Sequence, residues 1–143
     1  MKLAKYLFIS LSLSYLICGQ VLSADCDDAS GTVTISTSCT ALDISGDGSN
    51  VTVNSGVTID STSIAVKTPN ATNATITNNG TFSASGSSGL RNTYPGHISI
   101  LINTGSITAG DKDGIRNGGT ITTLTNSGTI SAEADHEIGR AHV

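Results

Sequence analysis

The sequence predicts an all-β protein: a right-handed parallel β-helix (β-solenoid) of about 24 residues per turn, preceded by a cleaved signal peptide. Three observations carry that prediction. A five-residue phrase, Asn-x-Gly-[Thr/Ser]-[Ile/Phe], recurs at Asn78, Asn103, Asn117 and Asn126. Short runs rich in Val, Ile and Thr alternate with Gly and Asn, and no window shows the 3.6-residue period of a helix. Once the leader is removed only two aromatics remain, Phe82 and Tyr94, too little bulk for an ordinary compact core. A chain of this kind folds by stacking copies of a unit that cannot bury its apolar side alone.

Residues 1–24 read as a signal peptide. Lys2 and Lys5 give a basic start, Tyr6 to Ile17 form an apolar stretch too short for a membrane span, and Val21 to Ala24 supply small residues for cleavage. Cys18 raises a lipoprotein alternative, but Ile17 is too bulky for the small residue required before such a cysteine. Removal of the leader leaves Lys67, Arg91, Lys112, Arg116 and Arg140 against eleven acids, a net charge of −6. An acidic chain is a poor partner for nucleic acid or an anionic membrane.

Residues 25–45 form an N-terminal cap segment that holds the two remaining cysteines, Cys26 and Cys39. Export places them where oxidation is allowed, and a disulfide between them closes a short local loop. In the chain-entropy picture such a loop contributes about 3 kcal/mol. The rival is a metal pair, disfavoured by the absence of a nearby His or a second Cys pair.

Residues 46–136 carry the repeats. The corner asparagines Asn78, Asn92, Asn103, Asn117 and Asn126 are separated by 14, 11, 14 and 9, a two-beat rhythm in which "GLRN" at Gly89 returns as "GIRN" at Gly114. The period is 25 from Asn78 to Asn103 and 23 from Asn103 to Asn126; the two extra residues fall at Thr93-Tyr94-Pro95, a small protruding loop. Upstream, Asn54 lies 24 before Asn78, but Val57 and Ile59 flank the position where one apolar residue is due, so the register before about residue 60 stays open. Each Asn-x-Gly is expected to turn the chain through left-handed backbone, with strands of three to five residues between corners. The structural corner and ladder set is Asn78, Gly80, Asn92, Asn103, Gly105, Asn117, Gly119, Asn126 and Gly128, with Asn78, Asn103 and Asn126 stacked as amides. The inward columns are Ile76, Phe82, Leu90, Leu101, Ile107, Ile115, Ile121, Leu124 and Ile130.

"ITNNGTFSASGSSGLRN", "INTGSITAGDKDGIRN" and "GGTITTLTNSGTISA", behind a signal peptide and the Cys-bounded "DCDDASGTVTISTSCTAL", resemble the N-terminal part of an autotransporter (type V secretion) passenger domain from a Gram-negative bacterium. The resemblance covers about residues 25–132. It implies export by the Sec machinery through the signal peptide, then passage through the full chain's own C-terminal outer-membrane β-barrel to the cell surface or the medium. The motif carries no activity. Barrel, linker helix and C-terminal cap do not occur in this sequence, so it is expected to be a fragment of a longer passenger. The final "EIGRAHV", residues 137–143, breaks the Thr/Ser/Asn/Gly texture and matches what the opening of a sequencing adapter encodes; an artefactual tail is expected. The alternative, a genuine further turn, rests on Ile138 lying within one residue of the column 23 after Ile115.

Lys67, Arg91 and Arg116 recur at the repeat spacing and so share one column. They could grip an acidic glycan, or form a solvated edge neutralised by Asp111 and Asp113; like charges about 5 Å apart in water repel by only about 1 kcal/mol or less, so the second reading needs no ligand. "DISGDGSN", Asp43 to Asn50, loosely resembles a calcium loop, but Asn54 stands where the bidentate Glu belongs, and a turn is the better reading. No Gly-x-Ser-x-Gly elbow or phosphate-cradling loop occurs, so no catalytic residue, cofactor or metal site is expected. The expected function is a surface-exposed or secreted, structural or adhesive stalk with a host-surface or glycan ligand. The alternatives are a β-helical polysaccharide hydrolase or lyase with its groove in missing sequence, or an adhesin exported by a separate barrel protein.

Overall fold

The computed structural model describes residues 26–133 and 138–139. The signal peptide and most of the 137–143 tail lie outside the described residues.

Every described strand pairs in parallel with the strand one circuit away, so the chain winds as a β-solenoid with three faces. The first face stacks β1 (Cys26–Ala29), β3 (Leu42–Ile44), β6 (Ile64–Thr68), β9 (Ser88–Asn92), β12 (Ile115–Asn117) and β15 (Ile138–Gly139). The second stacks β2 (Thr32–Ile35), β4 (Asn50–Val53), β7 (Ala74–Asn78), β10 (His97–Asn103) and β13 (Thr120–Asn126). The third stacks β5 (Thr58–Ser61), β8 (Thr81–Ala84), β11 (Ser106–Ala109) and β14 (Thr129–Ala132). β10 and β13 run seven residues each, longer than the expected three to five, because no Gly or Asn interrupts "HISILIN" or "TITTLTN" before its final residue.

Like residues sit over like. Val66, Leu90 and Ile115 form one column, Val51, Ile76, Leu101 and Leu124 a second, and Ile59, Phe82, Ile107 and Ile130 a third. All but the last member of the longer columns are fully buried, and a tube this narrow needs only Phe82 as an aromatic. Leu124 keeps the predicted register yet is 37 % exposed, while Ile121 and Ile130 are half-buried, because no further turn among the described side chains covers them.

The open early register resolves at one corner. Val53 pairs with Asn78, whereas Thr58 pairs with Thr81, so the offset between the two circuits shrinks across the segment that separates them. The corner at Asn54 to Val57 is therefore two residues longer than those after Asn78 and Asn103, and it uses Gly56 at φ 79°. Asn54 is exposed and is not a ladder member; buried Val53 occupies that rung. The same excess recurs at Thr93 to Gly96, where Asn92 pairs with Asn117 and His97 with Thr120.

Two internal amide ladders stitch the turns. Asn78 Nδ2 donates to Asn103 Oδ1 at 2.8 Å and to Ser106 O at 3.0 Å; Asn103 Nδ2 repeats this with Asn126 Oδ1 at 2.8 Å and Thr129 O at 3.0 Å. On the neighbouring corner Thr68 Oγ1 donates to Asn92 Oδ1 at 2.7 Å, and Asn92 Nδ2 to Asn117 Oδ1 at 2.7 Å and Thr120 O at 3.0 Å. The bottom rungs are closed differently: Thr68 supplies a hydroxyl donor, while Asn78, above apolar Val53, accepts from its own Gly80 N–H at 3.1 Å. These buried amides keep partners that water can no longer supply.

The corner glycines have a different cause from the one expected. Gly80, Gly105, Gly119 and Gly128 do not adopt left-handed backbone; among the described residues only Asn73, Gly31, Gly46, Gly48 and Gly56 do. A Cβ on Gly105 would instead collide with the carbonyl oxygen of Gly80 one turn below, and one on Gly128 with that of Gly105. Close stacking of backbone on backbone selects glycine here.

At the N-terminal end Cys26 and Cys39 are disulfide-bonded, with Cα atoms 5.6 Å apart. The bond joins β1 to a chain segment that bridges Ile59 on the third face, and Cys39 is buried against the core. The cap segment is thus a short, crosslinked circuit whose strands β1 and β2 already pair with β3 and β4.

Candidate functional site

Alternation along each strand divides its side chains between tube and solvent. In β9 Leu90 and Asn92 are buried, so Arg91 points outward; in β12 Ile115 and Asn117 do the same for Arg116. Register then places Asp43, Lys67, Arg91 and Arg116 in one outward column on the first face.

The column is not uniformly basic. Lys67 Nζ lies 3.7 Å from Asp43 Oδ1, one rung below, with both side chains about two-fifths exposed. The neutralising acid is therefore Asp43, in place of the expected Asp111 and Asp113; neither of these pairs with the column. Such an exposed pair adds little stability, but it settles where the free charge lies. Arg91 and Arg116, adjacent rungs about 4.8 Å apart, have no ion-pair or side-chain hydrogen-bond partner among the described residues.

Beside them stands the Thr93–Gly96 corner. Its two extra residues carry Tyr94 outward until it is 84 % exposed; the other aromatic among the described residues, Phe82, is buried. The equivalent corner one turn on is only Gly118-Gly119, and Gly118 lies close against the longer loop: a Cβ there would touch Asn92 O at 3.4 Å and Tyr94 N at 3.9 Å. The result is a concavity of about 170 Å³ walled by Arg91, Arg116, Tyr94 and Gly118. A second depression of about 350 Å³ is lined by Tyr94, Pro95, Gly118, Gly119 and Thr120. The two share Tyr94 and Gly118 in their linings. Another shallow hollow of about 490 Å³ runs over the third face between Ser83, Ser85, Thr108, Ser131 and Glu133.

The remaining sequence candidates have structural occupations. Asp47 Oδ1 accepts from Thr72 Oγ1 at 2.8 Å and from Asn73 Nδ2 at 3.0 Å, and Asp47 bridges to Thr72 on the next turn. Those hydrogen bonds from Thr72 and Asn73, with a smaller one from the Gly48 N–H, hold its carboxyl below the ordinary 3.8. His97 Nε2 lies 2.8 Å from Thr122 Oγ1 on the turn above. No group of three His, Cys, Asp or Glu side chains converges among the described residues. The repeat marks the Tyr94 loop but does not by itself connect it to the arginines. The signal for that connection is nevertheless present, since an insertion directly after Arg91-Asn92 must overhang the shorter corner that follows Arg116. No family model, curated protein or solved structure matches this chain.

Proposed function

We propose that the chain is the N-terminal part of a surface-exposed or secreted autotransporter passenger, a structural stalk with an adhesive role and no catalysis of its own. One observation carries the reading. The interior columns and the Asn78–Asn103–Asn126 ladder repeat from turn to turn, while outward corners such as Thr93–Gly96 differ in length. A solenoid built this way gains length by adding circuits and leaves its corners free to differ. In this reading the Sec machinery exports the chain, a C-terminal β-barrel of the full protein carries it across the outer membrane, and a host-surface or glycan ligand meets its outer corners.

The test is display. The full chain, placed ahead of an outer-membrane β-barrel in a Gram-negative host, is expected to be removable from intact cells by added protease and to raise attachment above that of cells carrying the barrel alone. Retention inside the cell, or attachment equal to the barrel-only control, refutes the proposal. In the gene, a barrel in the same reading frame supports it, and export by a separate barrel protein replaces it.

A further inference from the structure

We infer that Arg91, Arg116 and Tyr94 form a binding site for a carboxylate-bearing sugar within an acidic glycan, an inference that rests on the adhesive reading above. Three features of the surface converge. The protein is acidic, yet two of the four Lys and Arg side chains between residues 26 and 133 stand on adjacent rungs without an acid partner among the described residues, while Lys67 is engaged by Asp43. The single strongly exposed aromatic among the described residues, Tyr94, borders one concavity with both arginines. Gly118, which has no side chain, lines the same concavity.

The chemistry of the three side chains selects the ligand. A guanidinium presents paired N–H donors that match the two oxygens of a planar carboxylate, and two such groups at one strand spacing can hold one carboxylate between them or two successive ones. Tyr94 offers a ring face for the C–H side of a pyranose and a hydroxyl for its rim. A concavity of about 170 Å³ is below the range of an ordinary enclosed pocket, roughly 300–1,000 Å³, and suits one unit of a chain whose next unit lies over Pro95 and Gly119. A nucleic acid would offer phosphate to the arginines, but the surrounding negative charge opposes a polyanion of that density.

The experiment is calorimetric titration of the full chain with trigalacturonate and with 3′-sialyllactose, beside maltotriose and sucrose octasulfate, which carries sulfate and no carboxylate. At least one carboxylate sugar is expected to bind and maltotriose not to; the two carboxylate arms distinguish a uronate from a sialoside as the source. Arg91→Gln and Arg116→Gln are each expected to weaken binding about tenfold or more. Tyr94→Ala is expected to weaken it several-fold, and Lys67→Gln to leave it unchanged. Matching far-UV circular dichroism confirms that each variant is folded, and the Tyr94 ring resonances are expected to shift on binding. The inference is overturned if maltotriose binds as well as the acids, if sucrose octasulfate alone binds, if nothing binds, or if affinity is indifferent to both arginines. Failure here with attachment intact in the display test removes only this site; loss of attachment removes the adhesive reading, while the titration still reports whether the acid sugar binds.

Discussion

Gly105→Ala is the sharpest probe of how the turns stack. The Cβ it introduces would overlap the Gly80 carbonyl oxygen, with backbone atoms of Asn79 and Gly80 only 2.9 Å away. Backbone cannot rotate away as a side chain would, so the corner itself must rise from the one below. Lifting it stretches the 2.9 Å bond from Ser106 N to Gly80 O, and tilting it disturbs the matching 2.9 Å bond from Thr129 N to Gly105 O. Two weakened backbone hydrogen bonds cost about 1 kcal/mol each, and overpacking adds about 1–3 kcal/mol. Part of this is offset by the lower entropy of an unfolded chain with Ala in place of Gly, about 0.4–1 kcal/mol. The expected net loss is about 3 kcal/mol, more than a hundredfold in the folding equilibrium, and a large share of the roughly 5–15 kcal/mol that holds a domain together. Urea unfolding followed by circular dichroism measures it, with Gly118→Ala as control, because a Cβ there finds Asn92 O at an ordinary 3.4 Å. The control is expected to be neutral or slightly stabilising. Equal midpoints for the two variants would refute the close-stacking account of the corner glycines.

Three other outcomes follow from the same geometry. Asn103→Ala removes the partner of the buried Asn78 amide and its own bonds to Asn126 and Thr129, and should cost about 2–4 kcal/mol; Asn126→Ala, at the exposed end of the ladder, should cost under about 1 kcal/mol, and similar urea midpoints would defeat the ladder's role. Asp47 has a folded pKa below its ordinary 3.8, so its contribution is present above that value and disappears as pH falls through the lower folded one. The difference in thermal midpoint between the parent and Asp47→Ala should therefore be constant at neutral pH and shrink only under strongly acidic conditions; a difference that grows on acidification would contradict a depressed carboxyl. Reduction of Cys26–Cys39, whose sequence separation is 13, should lower stability by about 3 kcal/mol or less. Melting with and without a thiol reductant checks this, and an unchanged midpoint would show that the first circuit is held by its strand pairing alone.

The repeat makes the solenoid legible before any coordinates. Spacings of 25 and 23 between the ladder asparagines locate the two extra residues at Thr93–Pro95, and the pairing of Ile98 with Ile121 and Leu101 with Leu124 follows from them. Legibility fades where the copies diverge. Val53 replaces the expected asparagine and the Asn54 corner is lengthened, so neither the first register nor the Asp43–Lys67 pair could be read. The corner glycines are legible at the right positions for the wrong reason, since a sequence shows that a side chain is missing but not which neighbour requires its absence.

Period, parity and composition are properties along the chain, and they alone determined that this protein is a tube of stacked strands with Ile, Leu and Val inside and asparagine at its corners. What lies across the gap between turns is set by three-dimensional approach. Only the tertiary structure decided that Gly105 rests on the Gly80 carbonyl, that Asp43 pairs with Lys67, and that Tyr94 borders one concavity with Arg91 and Arg116. The physical reason is that a side chain's direction follows from its own strand, whereas its partner belongs to the neighbouring circuit, whose register depends on every corner between them.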